Sequence, residues 1–379
     1  MSLGAKRKIT QLVFNDFQND SRVEKTCQTL ASAGYSVTVF AFGGKGLRQK
    51  ENRGNWEVFR FGSGNFFTAF ISLCKFVLFN AWKTGVVHCN DLEPLPLAVM
   101  IKLLNFGKTS IVYDAHELET EKLAAQGTRK KIYKLLERCL VPFVDEIVTV
   151  SESIVRWYKM KYPARSPSLV LNVPRTTKIV DSYSLRKRLG VSGQSKLFLY
   201  LGGLSAGRSV EAMLQTFSAM KAQSLVFMGS GGTSNEGKRL ERLVREESTS
   251  SIYYLKPVPQ GEVVNWASSA DVGLCLIEDR CLSYRYCLPN KLFEYAMAGL
   301  PMLVSDLPEM RKLVEKYNCG VICESITPKG IAKGIKKLLD QDLEKLGKNA
   351  RKMAEDHSWE MQEKKLLRLY EKVLEKKAA

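Results

Sequence analysis

The sequence predicts an α/β protein in which a parallel sheet is built twice along the chain. Three observations carry that expectation. Residues 272–305 read as strand, loop, helix, strand, with short apolar runs at 272–277 and 302–305 flanking NKLFEYAMA. A second β-α-β pattern opens the chain at 9–14, 22–33 and 37–42, where Val23, Cys27 and Leu30 share one helical face. Alternating apolar strands and helices of this kind form parallel sheets. The third observation is length. At ~100–200 residues per domain, 379 residues suggest two domains, each with its own core.

The unit at 272–305 organises the rest. Pro289 suits a helix start because its missing N–H and fixed φ cost nothing there. The helix at 290–298 carries Leu292, Phe293, Ala296 and Met297 at core spacing. Gly299 stops it and Pro301 blocks a restart. In parallel sheets ligands sit beyond the carboxyl ends of the strands. That place is also a helix N-terminus, which attracts phosphate. The Asn290 and Lys291 N–H groups are placed to hold phosphates, and Glu294, one turn in, to accept from both hydroxyls of a ribose. The plainer reading of Glu294 is a solvated, dipole-stabilised glutamate.

The wider pattern resembles the nucleotide-sugar site of retaining GT-B glycosyltransferases of family 4. Glu294, Gly299 and Pro301 match the second half of that motif. Its first acidic position falls at Tyr286, which is no carboxylate. Glu278 and Asp279 are nearby acids that either substitute for it or simply face solvent. The resemblance runs from Ser21 to the last helix. It implies two Rossmann-like domains facing across a cleft, at 1–172 and 173–357, with a helix over 358–379 returning to the first. It also implies transfer of a sugar from a nucleotide-sugar donor, UDP-, GDP- or TDP-linked, to a hydroxyl acceptor, with retention. No metal is required, and the setting is polysaccharide or glycolipid synthesis. A sugar-nucleotide epimerase of the same fold is the alternative, and a basic nucleic-acid- or membrane-binding protein a further one.

In chain order, 15–21 is a polar loop. The resemblance implies that it shapes an acceptor site through Asp20 and Arg22, and the alternatives are an N-cap and a surface arginine. No G-x-G-x-x-G follows the first strand, so a dinucleotide fingerprint is unsupported. Residues 66–82 are the most apolar stretch, shorter than the ~20 residues of a spanning helix and interrupted by Lys75. Burial and an interfacial helix both remain open there. Strands at 86–89 and 110–113 end in polar clusters carrying His88 and His116. His116, in YDAHE, matches the family histidine that faces the donor sugar. A satisfied structural histidine is the competing reading for both, and His88 is otherwise an acceptor-side residue. A helix at 123–144 and strands at 146–150 and 169–172 close the first half, and Val173-Pro174 makes a variant hinge.

In the second half, the strand at 197–201 runs into Gly-Gly-Leu-Ser-Ala-Gly-Arg and a helix from Ser209. A glycine-rich turn lets backbone N–H groups approach phosphate. Gly203 and Arg208 occupy the two positions where the family has cations on the diphosphate. Strands follow at 225–229 and 252–255. Val258 lies where the family lines the base through backbone groups. A helix at 260–270 and a loop at 276–289 precede the central unit, and helices at 330–339, 343–356 and 359–377 end the chain. Asp340-Gln341-Asp342 spells D-x-D on a charged helix with no strand before it, so a metal–diphosphate site is rejected there.

The net charge is +18 and is divided evenly between the halves, so it is no basic tail. It suits nucleic acid, an anionic membrane or anionic substrates. Family analogy favours peripheral association with the inner face of a membrane. Basic and aromatic side chains are not interleaved as nucleic acid would require. The runs 129–131 and 186–188 read as solvated helix faces. The nine cysteines show no C-x-x-C spacing, and free thiols in the cytoplasm are expected. Residues 1–10 lack an apolar signal-peptide core.

Overall fold

The computed structural model describes residues 7–18, 20–44, 46–62, 66–80, 84–191, 195–220, 222–248 and 251–375, with backbone alone at 66–69, 76, 78 and 80. The start of the chain, positions 81–82 of the apolar stretch and positions 376–377 of the last helix lie outside these. The chain forms two compact units, residues 1–171 with 361–379, and residues 172–360.

The first unit contains β1 (Lys8–Leu12), α1 (Ser21–Ser32), β2 (Ser36–Phe42), β3 (Lys50–Asn52), β4 (Trp56–Phe61), α2 (Phe66–Asn80) and β5 (Val86–Asn90). It continues with α3 (Leu95–Leu104), β6 (Ser110–Ala115), α4 (Gly127–Leu140), β7 (Glu146–Thr149), α5 (Glu152–Lys161) and β8 (Ser168–Leu169). The sheet order is β3-β4-β2-β1-β5-β6-β7-β8, parallel except where β3 meets β4. Val23, Cys27 and Leu30 of α1 are fully buried, as their spacing predicts.

The second unit holds α6 (Leu185–Leu189), β9 (Lys196–Leu201), α7 (Val210–Ala219), β10 (Gln223–Met228), α8 (Asn235–Glu246), β11 (Ile252–Leu255), α9 (Val263–Ala267) and β12 (Val272–Cys275). Then come α10 (Leu282–Arg285), α11 (Asn290–Met297), β13 (Met302–Ser305), α12 (Pro308–Tyr317), β14 (Gly320–Cys323), α13 (Pro328–Leu339) and α14 (Leu343–His357). Its sheet is wholly parallel, in the order β11-β10-β9-β12-β13-β14. The last helix, α15 (Trp359–Glu375), belongs to the first unit from Met361 onward. There Gln362 accepts from Leu171 N–H at 3.2 Å and Tyr370 is fully buried.

Several elements differ from the sequence reading. The expected helix over 123–144 is shorter, because Gln126 is extended and Pro142 lies in a separate 3-10 turn, Val141–Phe143. The helix at 260–270 reduces to α9 after a 3-10 turn. The loop at 276–289 contains α10. The sequence reading gave no element for β3, β4, α3, α5, α8, α12 or β14, and marked α6 only through the helix face at 186–188. β4 alternates with Trp56, Val58 and Arg60 buried, and its buried arginine disguises the pattern. The apolar helix α2 packs on β2 and β4, burying Leu73 and Val77 while Ile71 and Phe79 stay exposed.

Each sheet has one place where successive connections diverge to opposite sides. It lies between β1 and β5 in the first unit and between β9 and β12 in the second. A crevice opens at such a switch point, beyond the carboxyl ends of the strands.

Candidate active site

In the second unit, the loops after β9 and β12 meet at the switch point. Tyr295 of α11 fastens the strands beneath them. Its hydroxyl accepts from Leu201 N–H at 2.7 Å and donates to Leu274 C=O at 3.1 Å. The ring lies against Gly273, where a Cβ would come within 2.4 Å. Glycine is required there by that close approach.

The loop after β9 is held tightly. Gly202 has φ +104 and Gly207 φ +77. A Cβ on Gly229 would meet the Gly202 carbonyl oxygen at 1.8 Å, and one on Gly207 would meet the Tyr284 ring at 2.6 Å. The Gly203 carbonyl accepts from the Tyr200 hydroxyl at 2.7 Å, and Gly203 itself is exposed. The loop ends on Ser209, a non-glycine residue at φ +57. Ser209 starts α7 without capping it, and its Oγ is buried with no hydrogen-bond partner. Strain of this kind persists where surroundings enforce it, and it clusters at ligand sites.

The start of α11 is uncapped as well, since Pro289 has no side-chain donor or acceptor. The first N–H groups of a helix have no partner within the helix, so those of Asn290 and Lys291 are available to an anion. Two cations attend these starts. The Arg208 guanidinium lies 4.9 Å from the Tyr284 ring centroid, and no carboxylate pairs with it among the described residues. Lys291 Nζ is buried without a hydrogen-bond partner. Burial lowers its pKa to about 7, and Arg208 is near enough to push in the same direction. An orphaned ammonium beside unpaired N–H groups is a site built for negative charge.

Glu294 is buried and accepts from Gln260 Nε2 at 2.7 Å, so it is not the solvated glutamate of the plainer reading. Val258 is half-buried in the turn after β11. Tyr286 is half-buried at the end of α10. The two acids considered as substitutes are occupied. Glu278 pairs with Arg280 at 2.5 Å and Asp279 with Arg285 at 2.8 Å.

In the first unit, a cavity of about 440 Å³ sits at the switch point, lined by Val13, Phe14, Asn15, Asp20, Asn90, Asp91, Glu93, Lys122, Arg129 and Tyr133. Asp20 caps α1, accepting from Val23 N–H at 3.2 Å, and lines this cavity too. Both readings of Asp20 therefore hold in geometry. Those of Arg22 do not. It is neither a surface arginine nor a cavity residue, being 2% exposed. Its guanidinium grips Asp114 through two bonds of 2.8 Å and donates to Val170 C=O at 2.9 Å. His88 is also removed from any ligand. It is fully buried, with Nδ1 2.6 Å from the Tyr370 hydroxyl and Nε2 3.3 Å from Asp114. Its burial beneath α15 makes it structural.

Of the two strand-end histidines, His116 remains reachable, with 20% of its side chain exposed. Its Nδ1 lies 3.9 Å from Asp91 and its Nε2 3.6 Å from Asp114. Burial opposes the charge, but the two carboxylates outweigh it and raise the pKa to about 9. Asp91 sits at φ +71 and accepts from His116 N–H at 3.3 Å. Asp114 is held well below the carboxylate range: burial would raise it, and Arg22 and His116 prevail. The sequence reading marked the clusters around His88 and His116 but gave these two aspartates no role. Their only signal was position at strand ends.

Comparison with known proteins agrees with this architecture. Residues 21–171 match the model described as Glycosyltransferase Family 4, and residues 195–341 the model for Glycosyl transferases group 1. A D-inositol 3-phosphate glycosyltransferase of Thermobispora bispora is 24% identical over 250 residues, covering 62% of this chain and 56% of that protein. The chain thus spans little more than half of that relative. Sucrose-phosphate synthase of Thermosynechococcus elongatus has the same fold at TM-score 0.80 and 16% identity, covering 97% of this chain and 99% of its own. HepE of Anabaena, solved in complex with UDP-glucose, superposes at TM-score 0.75 and 12% identity over 96% of this chain and 99% of its own. These relatives favour transfer over epimerisation. The fold is GT-B, and the chain belongs to the glycosyltransferases, with a family 4 half preceding a group 1 half.

Proposed function

We propose that the protein transfers a sugar from a nucleotide donor to a hydroxyl acceptor with retention at the anomeric carbon. The observation that carries this is the pair of uncapped helix starts at the β9/β12 switch point, with Arg208 and the partnerless Lys291 ammonium beside them. That arrangement suits a diphosphate. The N–H groups of Asn290, Lys291 and Gly203 donate to its oxygens, and the two cations stabilise the charge that grows as it departs. Glu294, held by Gln260, accepts from the ribose hydroxyls, and the backbone around Val258 lines the base. Tyr286 takes the place of the usual acid, so the grip on the donor sugar relies on other groups. Retention is what the family resemblance implies; Glu278 and Asp279 pair with Arg280 and Arg285 and are given no role as nucleophile or base. The leaving diphosphate then assists acceptor deprotonation, and the residues present require no metal for it.

The first unit takes the acceptor. Its polar cavity suits a hydroxyl compound, and the charged His116 is a donor for a sugar hydroxyl. A lipid-linked acceptor fits a polysaccharide or glycolipid pathway on the cytoplasmic side of a membrane.

HepE was solved with UDP-glucose, so UDP-linked hexoses are the first donors to test, followed by GDP- and TDP-linked ones. The expected result is a thermal shift with one nucleotide class, and a product whose anomeric configuration by NMR equals the donor's. Arg208→Ala should lower turnover ~10²–10³-fold with the melting temperature nearly unchanged. Equal turnover in the folded variant would sink the assignment.

A further inference from the structure

A second cavity of the first unit, of about 770 Å³, opens between α4 and α5, and the transfer described above gives it no role. Lys134 and Arg138 line it from α4 at i and i+4, on one helical face. Trp157 and Lys161 line it from α5, with Tyr162 just after. This wall is fixed from behind. Glu137, fully buried, accepts from the Tyr158 hydroxyl at 2.8 Å, the Tyr162 hydroxyl at 3.0 Å and Lys161 Nζ at 2.6 Å. Lys161 Nζ thereby stands 4.3 Å from the Trp157 ring centroid and 5.2 Å from that of Tyr162. Two rings and an ammonium hold one arrangement, so a ligand has little left to order there.

The charge of the cavity is positive. Glu121 is its one lining carboxylate, and it already bonds Lys130 at 2.6 Å and Lys134 at 2.9 Å. Lys161 is matched by Glu137. Arg138 is exposed and pairs with no carboxylate among the described residues. The cavity also adjoins the one at the first unit's switch point. Glu121 and Lys134 line this cavity, and their chain neighbours Lys122 and Tyr133 line the other. Arg129 of that cavity and Arg138 of this one stand on the same helix, ~14 Å apart along its axis.

We infer that this cavity is a second glycan subsite, which holds a carboxylate-bearing sugar unit of the acceptor while the hydroxyl to be glycosylated lies in the cavity at the switch point. The inference rests on the reading of the first unit as the acceptor side. Trp and Tyr combine an apolar body with a polar tip, which suits the apolar face and polar rim of a pyranose ring. The guanidinium fork of Arg138 matches the two oxygens of a carboxylate. One unmatched cation balances the single charge of that group rather than the nearly double charge of a phosphate monoester. The distance between the cavities requires an acceptor of more than one sugar unit.

The test is calorimetry of the full chain, without donor, against a tetrasaccharide of galacturonic acid and against uncharged maltotetraose. The wild type should bind the acidic tetrasaccharide ~10-fold or more tightly than maltotetraose, and added salt should narrow the difference. Arg138→Glu should lower affinity for the acidic sugar ~10-fold or more, and Trp157→Leu should lower it too. Lys131→Glu makes the same charge change on α4 outside the cavity and should not. Arg138 and Lys131 are exposed, so both variants should melt as the wild type does. Arg208→Ala should bind the tetrasaccharide normally, which separates a failure here from a failure at the donor site. No binding, equal affinity for maltotetraose, or equal losses in Arg138→Glu and Lys131→Glu would overturn the inference. So would phosphatidylglycerol vesicles that bind through Arg138 while the tetrasaccharide does not.

Discussion

Lys291 Nζ stands 3.7 Å from the centroid of the Tyr200 ring, over its face. The ring offers the ammonium some attraction but no hydrogen-bond acceptor, and burial lowers its pKa to about 7 against an ordinary 10.5. Between those two values the unfolded chain holds a proton that the folded chain lacks, so this group makes stability rise with pH across pH 7 to 10.5. Lys291→Met should therefore stabilise the ligand-free protein at neutral pH and flatten its stability over that window. Denaturant titrations from pH 6 to 10 would check this.

The same lysine should make nucleotide binding pH-dependent. A diphosphate favours the charged form, so affinity should fall as pH rises above about 7. Lys291→Met should weaken nucleoside diphosphate binding ~10–100-fold at pH 7 and remove the slope. Calorimetry at several pH values reads both. A slope unchanged in the variant would assign the proton elsewhere.

The His116 ring should titrate near pH 9 and His88 should stay neutral, its pKa pushed down by burial. His116 gains its charge from Asp91 and Asp114. Its contribution to stability is fully present below its ordinary value of 6.5 and is lost as pH rises through 9. NMR of the imidazole protons checks the assignment, and Asp91→Asn should move the His116 midpoint down.

Arg22→Met should be strongly destabilising. It leaves Asp114 buried at 2% exposure without its main cation. Breaking one side of such a buried pair costs ~3–5 kcal/mol. Denaturant unfolding measures the loss, and the double variant with Asp114→Asn should recover part of it.

Much of the geometry at the second unit's switch point was legible in the sequence, because its signals are local. Pro289, Gly299 and Pro301 punctuate α11 within a dozen residues, and the Gly202–Arg208 turn follows its strand directly. The first unit was less so. Arg22 and Asp114 are 92 positions apart, and His88 meets Tyr370 at a separation of 282. No periodicity records such pairings. Hence Arg22 and His88 looked like acceptor contacts while the aspartate that joins them was given no role. Lys291 reads as a helix-start cation, but only the packing of Tyr200 shows that it is dehydrated.

Gly229→Ala should cost ~1–3 kcal/mol and weaken nucleotide binding together, because the methyl would strike the Gly202 carbonyl, a backbone atom that cannot step aside. Gly261→Ala, with open space around its Cβ position and no left-handed φ, is the matched control and should do neither. Thermal melts with and without nucleotide separate the two effects.

The contact between His88 and Tyr370 bears on how the protein is made. On the ribosome, the first unit emerges lacking residues 361–375, and the imidazole of His88 has no phenol to meet until every residue of the second unit has been synthesised. The earlier half must wait unfinished, its sheet open on the side that α15 will cover, while the later half can already fold as a unit behind it.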